Sequence, residues 1–389
     1  MAHRFDDITI EQLRAVGGLK WSQHPDAIGS FVAEMDFGTA PPVLDAIRDA
    51  VDRGLFGYLP DALARRLGEA WSGFARARYG WDVPAERVRP LADVVAGLTA
   101  AIDFFSAPDA PVILPTPAYM PFLTVPPWMG RAIIEVPMGH DGERSVYDLD
   151  ALDVAFAAGG NLLVLCNPHN PVGRVLEREE MLAVAEVVER HGGRVFSDEI
   201  HAPLVYDGHT HVPYASLTDA TAAHTVTAVS ASKAWNLPGL KCAQLVLSND
   251  ADAARWEKVG FMAEHGAANP GVVANIAAYE AGGPWLADVL AYLDGNRRLL
   301  GDLLREQVPE IGYLPPEGTY LAWLDCRRLG LGDHPAEYLL AHAGVALTDG
   351  PACGGAGAGF ARLNLATPRP VLEQKVARLA DALARRQMA

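Results

Sequence analysis

A chain of 389 residues with a formal net charge of −16 has room for one large domain and a smaller one. Its acidity excludes nucleic acid and anionic membrane surfaces as partners, since nothing would neutralise their phosphates, but it leaves room for a small anion in a local pocket. Half the residues are hydrophobic and 21% are charged, which is ordinary for a soluble globular enzyme.

The chain opens on "MAHRFDDITIEQL", which carries acids where a secretion signal needs an apolar core. Residues 1–45 read as a polar, loop-rich arm with Trp21, Phe31 and Phe37 as isolated anchors. From 46 to 285, strand-like and helix-like segments alternate. "LADVVAGLTAAIDFF" begins a helix near Asp93, which reads as its cap. "PVILPTP", "NLLVLCNP", "GRVFSDEI", "TVTAVSAS" and "AQLVLSN" are short β-branched or aliphatic runs. In "EEMLAVAEVVERHGG" the residues Met181, Val184, Ala185 and Val188 keep helical spacing, and Gly192 is positioned to cap the end. Such alternation predicts an α/β domain, a mostly parallel sheet covered by helices on both faces, with ligands beyond the carboxyl ends of the strands.

After Gly282-Gly283-Pro284 the pattern changes to a long helix, the strand "YLAWLDC", the Gly-rich "DGPACGGAGAGFARLNLA" and a C-terminal helix. We expect a large domain over 46–285 and a small α+β domain formed by 286–389 with the arm 1–45. No internal repeat is visible. The cysteines Cys166, Cys242, Cys326 and Cys353 form no close pair, so neither a disulfide framework nor a zinc ribbon is expected. No uncharged run approaches the roughly 18 residues of a membrane span, and a reducing cytoplasm is the expected compartment.

Four strand ends carry polar residues of an unusual kind. "PTPAY" brings Tyr119, "LCNPHNPVG" brings Asn170, "VFSDEIH" brings Asp198 and His201, and "VSASK" brings Ser230, Ser232 and Lys233. In a parallel sheet these ends share one edge and can converge on one cleft. A lysine among hydroxyls, a carboxylate, an amide and an aromatic ring suits a lysine that forms a Schiff base with pyridoxal phosphate. Taken singly, Asp198 also reads as a helix cap, Asn170 as a turn residue, Tyr119 as a rim aromatic and His201 as a satisfied structural histidine.

The ordered set "FVAEMDF", "FGYLP", "PTPAYMPF", "LCNPHNPVGRV", "SDEIHAPLV", "SASKAWNLPGLK" and "GFARLNLATP" resembles the fold-type I pyridoxal-phosphate enzymes of the aminotransferase class I/II superfamily, over nearly the whole chain. Within it, "AEMDF" and "SDEIH" resemble the bacterial cystathionine β-lyase (C–S lyase) branch.

The resemblance implies pyridoxal 5′-phosphate as cofactor, with Lys233 as the Schiff-base lysine and the base that removes the Cα proton. Asp198 would pair with the pyridine nitrogen, Asn170 with the ring oxygen, and Tyr119 would stack on the ring. His201 would touch the cofactor or line the substrate pocket. Ser230, Ser232, Lys241 and the amides of Val94 and Val95 would hold the phosphate, although relatives often carry arginine where Lys241 stands. Tyr58 would reach the phosphate of the other subunit in a homodimer with shared sites. Arg362 would clamp the α-carboxylate of a small amino-acid substrate.

The implied reaction is elimination from L-cystathionine or another cysteine S-conjugate. An aminotransferase and a non-catalytic cofactor-binding regulator stand as alternatives. Methionine supply, thiol salvage and secondary metabolism all remain open as pathways. "HTH" at His209 and His211 reads as a polar loop rather than a metal site. The pairs Arg65-Arg66, Arg297-Arg298 and Arg327-Arg328 read as solvated helix faces.

Overall fold

The computed structural model describes residues 3–387, so the outermost two positions at each end of the expected small domain lie outside the described residues. The main sheet has seven strands: β1 (Val88–Leu91), β2 (Val112–Thr116), β3 (Ile133–Pro137), β4 (Leu162–Cys166), β5 (Arg194–Asp198), β6 (Thr225–Val229) and β7 (Ala243–Leu247). Their order is β1-β7-β6-β5-β4-β2-β3. The pairs from β6 across to β3 are parallel, and β7 runs antiparallel to both its neighbours. The carboxyl ends of β2, β4, β5 and β6 therefore lie side by side along one edge.

Side chains alternate along a strand, and in β4 both sets are buried. Leu162, Val164 and Cys166 join the core that includes Val94, Leu98 and Ile102 of helix α1 (Val94–Phe105). Leu163 and Leu165 join the core of Met181, Val184 and Val188 from helix α2 (Arg178–Arg190). Burial on both faces explains the unbroken apolar run. Each such side chain contributes about 1.5–3 kcal/mol. Gly97 lets α1 approach closely, because a Cβ there would lie 3.2 Å from the Cβ of Ala228 on β6. At the end of α2 the cap is His191, and Gly192 follows it with a left-handed φ of 60°.

A second sheet holds β8 (Gly312–Tyr313), β9 (Leu321–Asp325), β10 (Thr348–Asp349) and β11 (Phe360–Asn364), in the antiparallel order β8-β9-β11-β10. Its core is continuous with the long helix Gly283–Gln307 and with Ala231 and Trp235 in the loop after β6.

The first 45 residues are more ordered than the sequence suggested. They include the helix Ile10–Val16, whose cap Thr9 and residue Gln12 bond reciprocally. Trp21 is no isolated anchor, because its indole Nε1 donates to Asp36 Oδ1 at 2.8 Å. Arg297 departs from the solvated-face expectation: its side chain is 13% exposed, pairs with Asp294 and lies over the Tyr206 ring. His211 also departs from the polar-loop expectation, being buried with Nε2 3.1 Å from Glu199 Oε2. No helix among the described residues is long and apolar enough to cross a membrane.

Candidate active site

Beyond the shared edge of β2, β4, β5 and β6 lies a cavity of about 150 Å³. Tyr119, Asn170, Asp198, His201, Ser232 and Lys233 line it, with Val94, Val95 and Lys241 also on its wall. Nine of the twelve residues named from the sequence thus meet at one place. Parallel pairing causes this, because each chain segment leaves its strand at the same edge and delivers its polar residues there.

Lys233 lies four residues past the end of β6, half-buried, with its Nζ donating to the backbone carbonyl of Ala33 at 2.8 Å. Burial, with Arg362 nearby, lowers its pKa to about 8, although Asp198 and Glu34 pull the other way. Asp198 ends β5 and is buried. Its Oδ1 accepts from the amide of Ile200 at 3.0 Å, while Oδ2 has only the Cys166 thiol, at 4.0 Å. Burial pushes its carboxyl up to about 7, against the pull of that amide and of Lys233.

His201 is buried with its ring edge-on to Tyr320, and its Nδ1 has no protein partner. Burial, reinforced by Lys233 and Arg362, holds its pKa well below the usual histidine range, so the ring is neutral. Tyr119 stands before the helix Met120–Trp128, and burial raises its phenol.

At the other end of the cavity α1 begins. Asp93 caps it, accepting from the amide of Ala96 at 2.9 Å. The amides of Val94 and Val95 belong to the first turn, where no intrahelical acceptor exists and the helix dipole is positive. Lys241 Nζ reaches Asp93 Oδ2 at 2.9 Å, so its charge is already paired.

Three expected residues lie outside the lining. Ser230 is buried and tied to the loop: its hydroxyl donates to the carbonyl of Cys242 at 2.7 Å and accepts from the amide of Ser232 at 3.0 Å. Both bonds hold the hydroxyl beside Ser232, which does line the cavity. Tyr58 is 90% exposed and lines a separate surface groove of about 430 Å³ with Phe56, Phe261 and His265.

Arg362, on β11, is 1% exposed and sits behind the cavity. Its Nη1 donates to Asn170 Oδ1 at 2.9 Å, and its Nη2 to Phe31 O at 2.8 Å and Thr348 Oγ1 at 3.0 Å. Its Nε is buried without a partner. The sequence did not single out Ala33, Tyr320, Asn236 or Asn364. Two of these act through backbone groups or a plain aromatic, and the asparagines sit inside motifs read for their neighbours.

The arrangement fits a pyridine aldehyde phosphate. It offers a lysine amine of lowered pKa, a buried carboxyl with one oxygen free of strong donors, an unpartnered histidine nitrogen, and a helix start facing the far end. Residues 32–383 match the model for the family Aminotransferase class I and II, and the chain belongs to that family. The cystathionine beta-lyase of Corynebacterium glutamicum is 38% identical, covering 96% of this chain and 99% of its own. Among solved structures, the PLP-bound C-S lyase from Staphylococcus hominis matches with a TM-score of 0.90 and 28% identity, covering 98% of each chain. Cystalysin from Treponema denticola, whose structure contains pyridoxal 5′-phosphate, matches at 0.91 and 28%, covering 98% of this chain and 99% of its own.

Proposed function

We propose that this chain is a pyridoxal-phosphate-dependent carbon–sulfur β-lyase acting on L-cystathionine or a related cysteine S-conjugate. The observation that carries the reading is the meeting of Lys233, Asp198, Asn170 and His201 in one cavity with Arg362 directly behind Asn170.

When bound, pyridoxal phosphate supplies the electron sink that makes the substrate's Cα–H acidic. Asp198 would hold a proton at the pyridine nitrogen, which would keep that sink strong. Asn170 would orient the ring oxygen, Tyr119 would cover the ring face, and Ser230, Ser232, Val94 and Val95 would hold the phosphate. Lys241, paired to Asp93, would stand at the phosphate end of the cavity. Arg362, directly behind Asn170, would clamp the α-carboxylate.

A lysine whose pKa is lowered to about 8 is half neutral near that pH, so Lys233 can take the Cα proton and then return a proton to the departing sulfur. The Cβ–S bond breaks with its electron pair going to sulfur, and the three-carbon remainder takes up water to give pyruvate and ammonia. His201, held neutral, lines the substrate side without adding a positive charge. Pyruvate and free thiol appearing together from L-cystathionine test the reading, and absence of both overturns it.

The reading takes residues 46–285 as the cofactor-binding domain, residues 1–45 with 286–389 as the small domain, and the compartment as the cytoplasm. It takes the active species as a homodimer. Tyr58 protrudes beside Phe56 (72% exposed) and Phe261 (70% exposed), an apolar rim suited to a second copy. Tyr58→Phe should leave the fold intact and weaken cofactor retention about tenfold, the scale of one hydrogen bond to a charged group. Residual cofactor after dialysis and sedimentation of the holoenzyme measure this. A fully active monomer contradicts it.

A further inference from the structure

We propose that the segment Phe31–Asp36 is a positioning strap that fixes Lys233 and Arg362 relative to one another, and that Asn236 is the positioning residue that holds it. This rests on the lyase reading above and adds a role that the site itself does not require.

Five consecutive backbone carbonyls of this segment accept hydrogen bonds from side chains. Phe31 O accepts from Arg362 Nη2 at 2.8 Å and Thr348 Oγ1 at 2.9 Å. Val32 O accepts from Asn364 Nδ2 at 2.7 Å. Ala33 O accepts from Lys233 Nζ at 2.8 Å and Tyr320 Oη at 2.9 Å. Glu34 O accepts from the same Asn364 Nδ2 at 2.6 Å and from Lys20 Nζ at 3.0 Å. Met35 O accepts from Asn236 Nδ2 at 3.0 Å. An irregular segment ordinarily gives such groups to water. Here two of the five go to the proposed base and the proposed carboxylate clamp, whose acceptors lie two residues apart on one piece of chain.

The clamps on the strap come from next to the residues it serves. Asn364 stands two residues after Arg362 on β11, and Asn236 three residues after Lys233. Asn236 grips Met35 as one peptide grips another. Its Oδ1 accepts from the Met35 amide at 2.8 Å, while its Nδ2 donates to Met35 O and also to Gly38 O at 3.1 Å. Its φ of 59° is left-handed, a conformation that asparagine tolerates and most side chains do not. The far end is pinned by Asp36, whose Oδ1 accepts from Trp21 Nε1 and Lys20 Nζ, the latter at 2.9 Å. Ala33 O is also the one hydrogen-bond acceptor that Lys233 has in the protein among the described residues. The strap thus aims the free amine whenever it is not bonded elsewhere.

Asn236→Gly tests this, because glycine keeps the left-handed φ without strain and deletes only the grip. We expect kcat for thiol release to fall roughly ten- to hundredfold, the scale of a misplaced reacting group, while KM stays within about threefold because Thr348 still holds Phe31 O at the Arg362 end. A readout without turnover accompanies it: uptake of pyridoxal phosphate by the cofactor-free protein, followed by absorbance, should slow by a similar factor. If the glycine variant does not fold, Asn236→Asp, which keeps the bond from the Met35 amide but sets a carboxylate oxygen against the Met35 and Gly38 carbonyls, should show the same split at equal or larger size.

Wild-type kcat and uptake in a folded variant overturn the strap. So does a loss of kcat that only follows the folded fraction. Failure of the wild-type protein to release thiol from L-cystathionine overturns the lyase reading instead, and the uptake measurement still decides the strap.

Discussion

Lys233→Ala is expected to lower kcat for thiol release by about 10⁴-fold, the upper end for loss of a positioned acid–base group, because the same amine also carries the cofactor. No neighbour can substitute. Lys241 lies at the other end of the cavity with its charge on Asp93, and Lys20 is buried against Asp36. Borohydride reduction of the holoenzyme followed by peptide mapping should correspondingly place the pyridoxyl group on Lys233. A label on Lys241 or Lys20, or a Lys233→Ala variant within tenfold of wild type, contradicts the assignment.

Asp198→Asn should lower kcat by about 10²–10³-fold, the scale of one preorganised electrostatic group, because asparagine cannot hold the pyridine nitrogen protonated. The same substitution should raise the stability of the cofactor-free protein. Burial lifts the Asp198 carboxyl from its ordinary 3.8 to about 7. The folded chain therefore binds that proton more tightly than the unfolded chain does. Its contribution is fully present below the unfolded value and is lost as pH rises towards 7 and beyond. At pH 8 the wild-type cofactor-free protein carries a buried carboxylate at a cost on the order of a few kcal/mol, which asparagine removes. Thermal unfolding of both cofactor-free proteins at pH 5 and pH 8 should show a Tm gain for Asp198→Asn that is larger at pH 8. An equal or lower Tm at pH 8 would mean that the carboxylate is better paired than its surroundings indicate.

The parts of this site that were legible in the sequence are those where chemistry and strand ends coincide. β4 is buried on both faces, so "LLVLC" is unbroken and the polar run after it stands out. The same contrast marks Asp198 after "RVFS" and Lys233 after "TVTAV". β1 and β3 escaped notice because Arg89 and Pro90 interrupt one and the other is an edge strand only partly buried. The spacing of Ser230 from Lys233 was legible, but its hydrogen bond to Cys242 O, which closes the loop, was not. The strap was the least visible part. "AEMDF" was distinctive as a motif, but its contribution is a row of backbone carbonyls, which every sequence possesses and which only the tertiary fold aims at Arg362 and Lys233.

The balance between elimination and amino-group transfer decides most directly whether the cavity belongs to a lyase. Both reactions need Lys233, Asp198 and Arg362, so variants of these residues cannot separate them. They diverge after Cα deprotonation, where a good leaving group at Cβ makes elimination fast. The measurement is the partition of one holoenzyme preparation between thiol and pyruvate release from L-cystathionine, with no keto acid added, and amino transfer from L-alanine to a keto acid. The account predicts thiol and pyruvate in equal amounts and slow turnover of alanine at best. Efficient transfer from alanine with little thiol from cystathionine would contradict it and make the chain an aminotransferase.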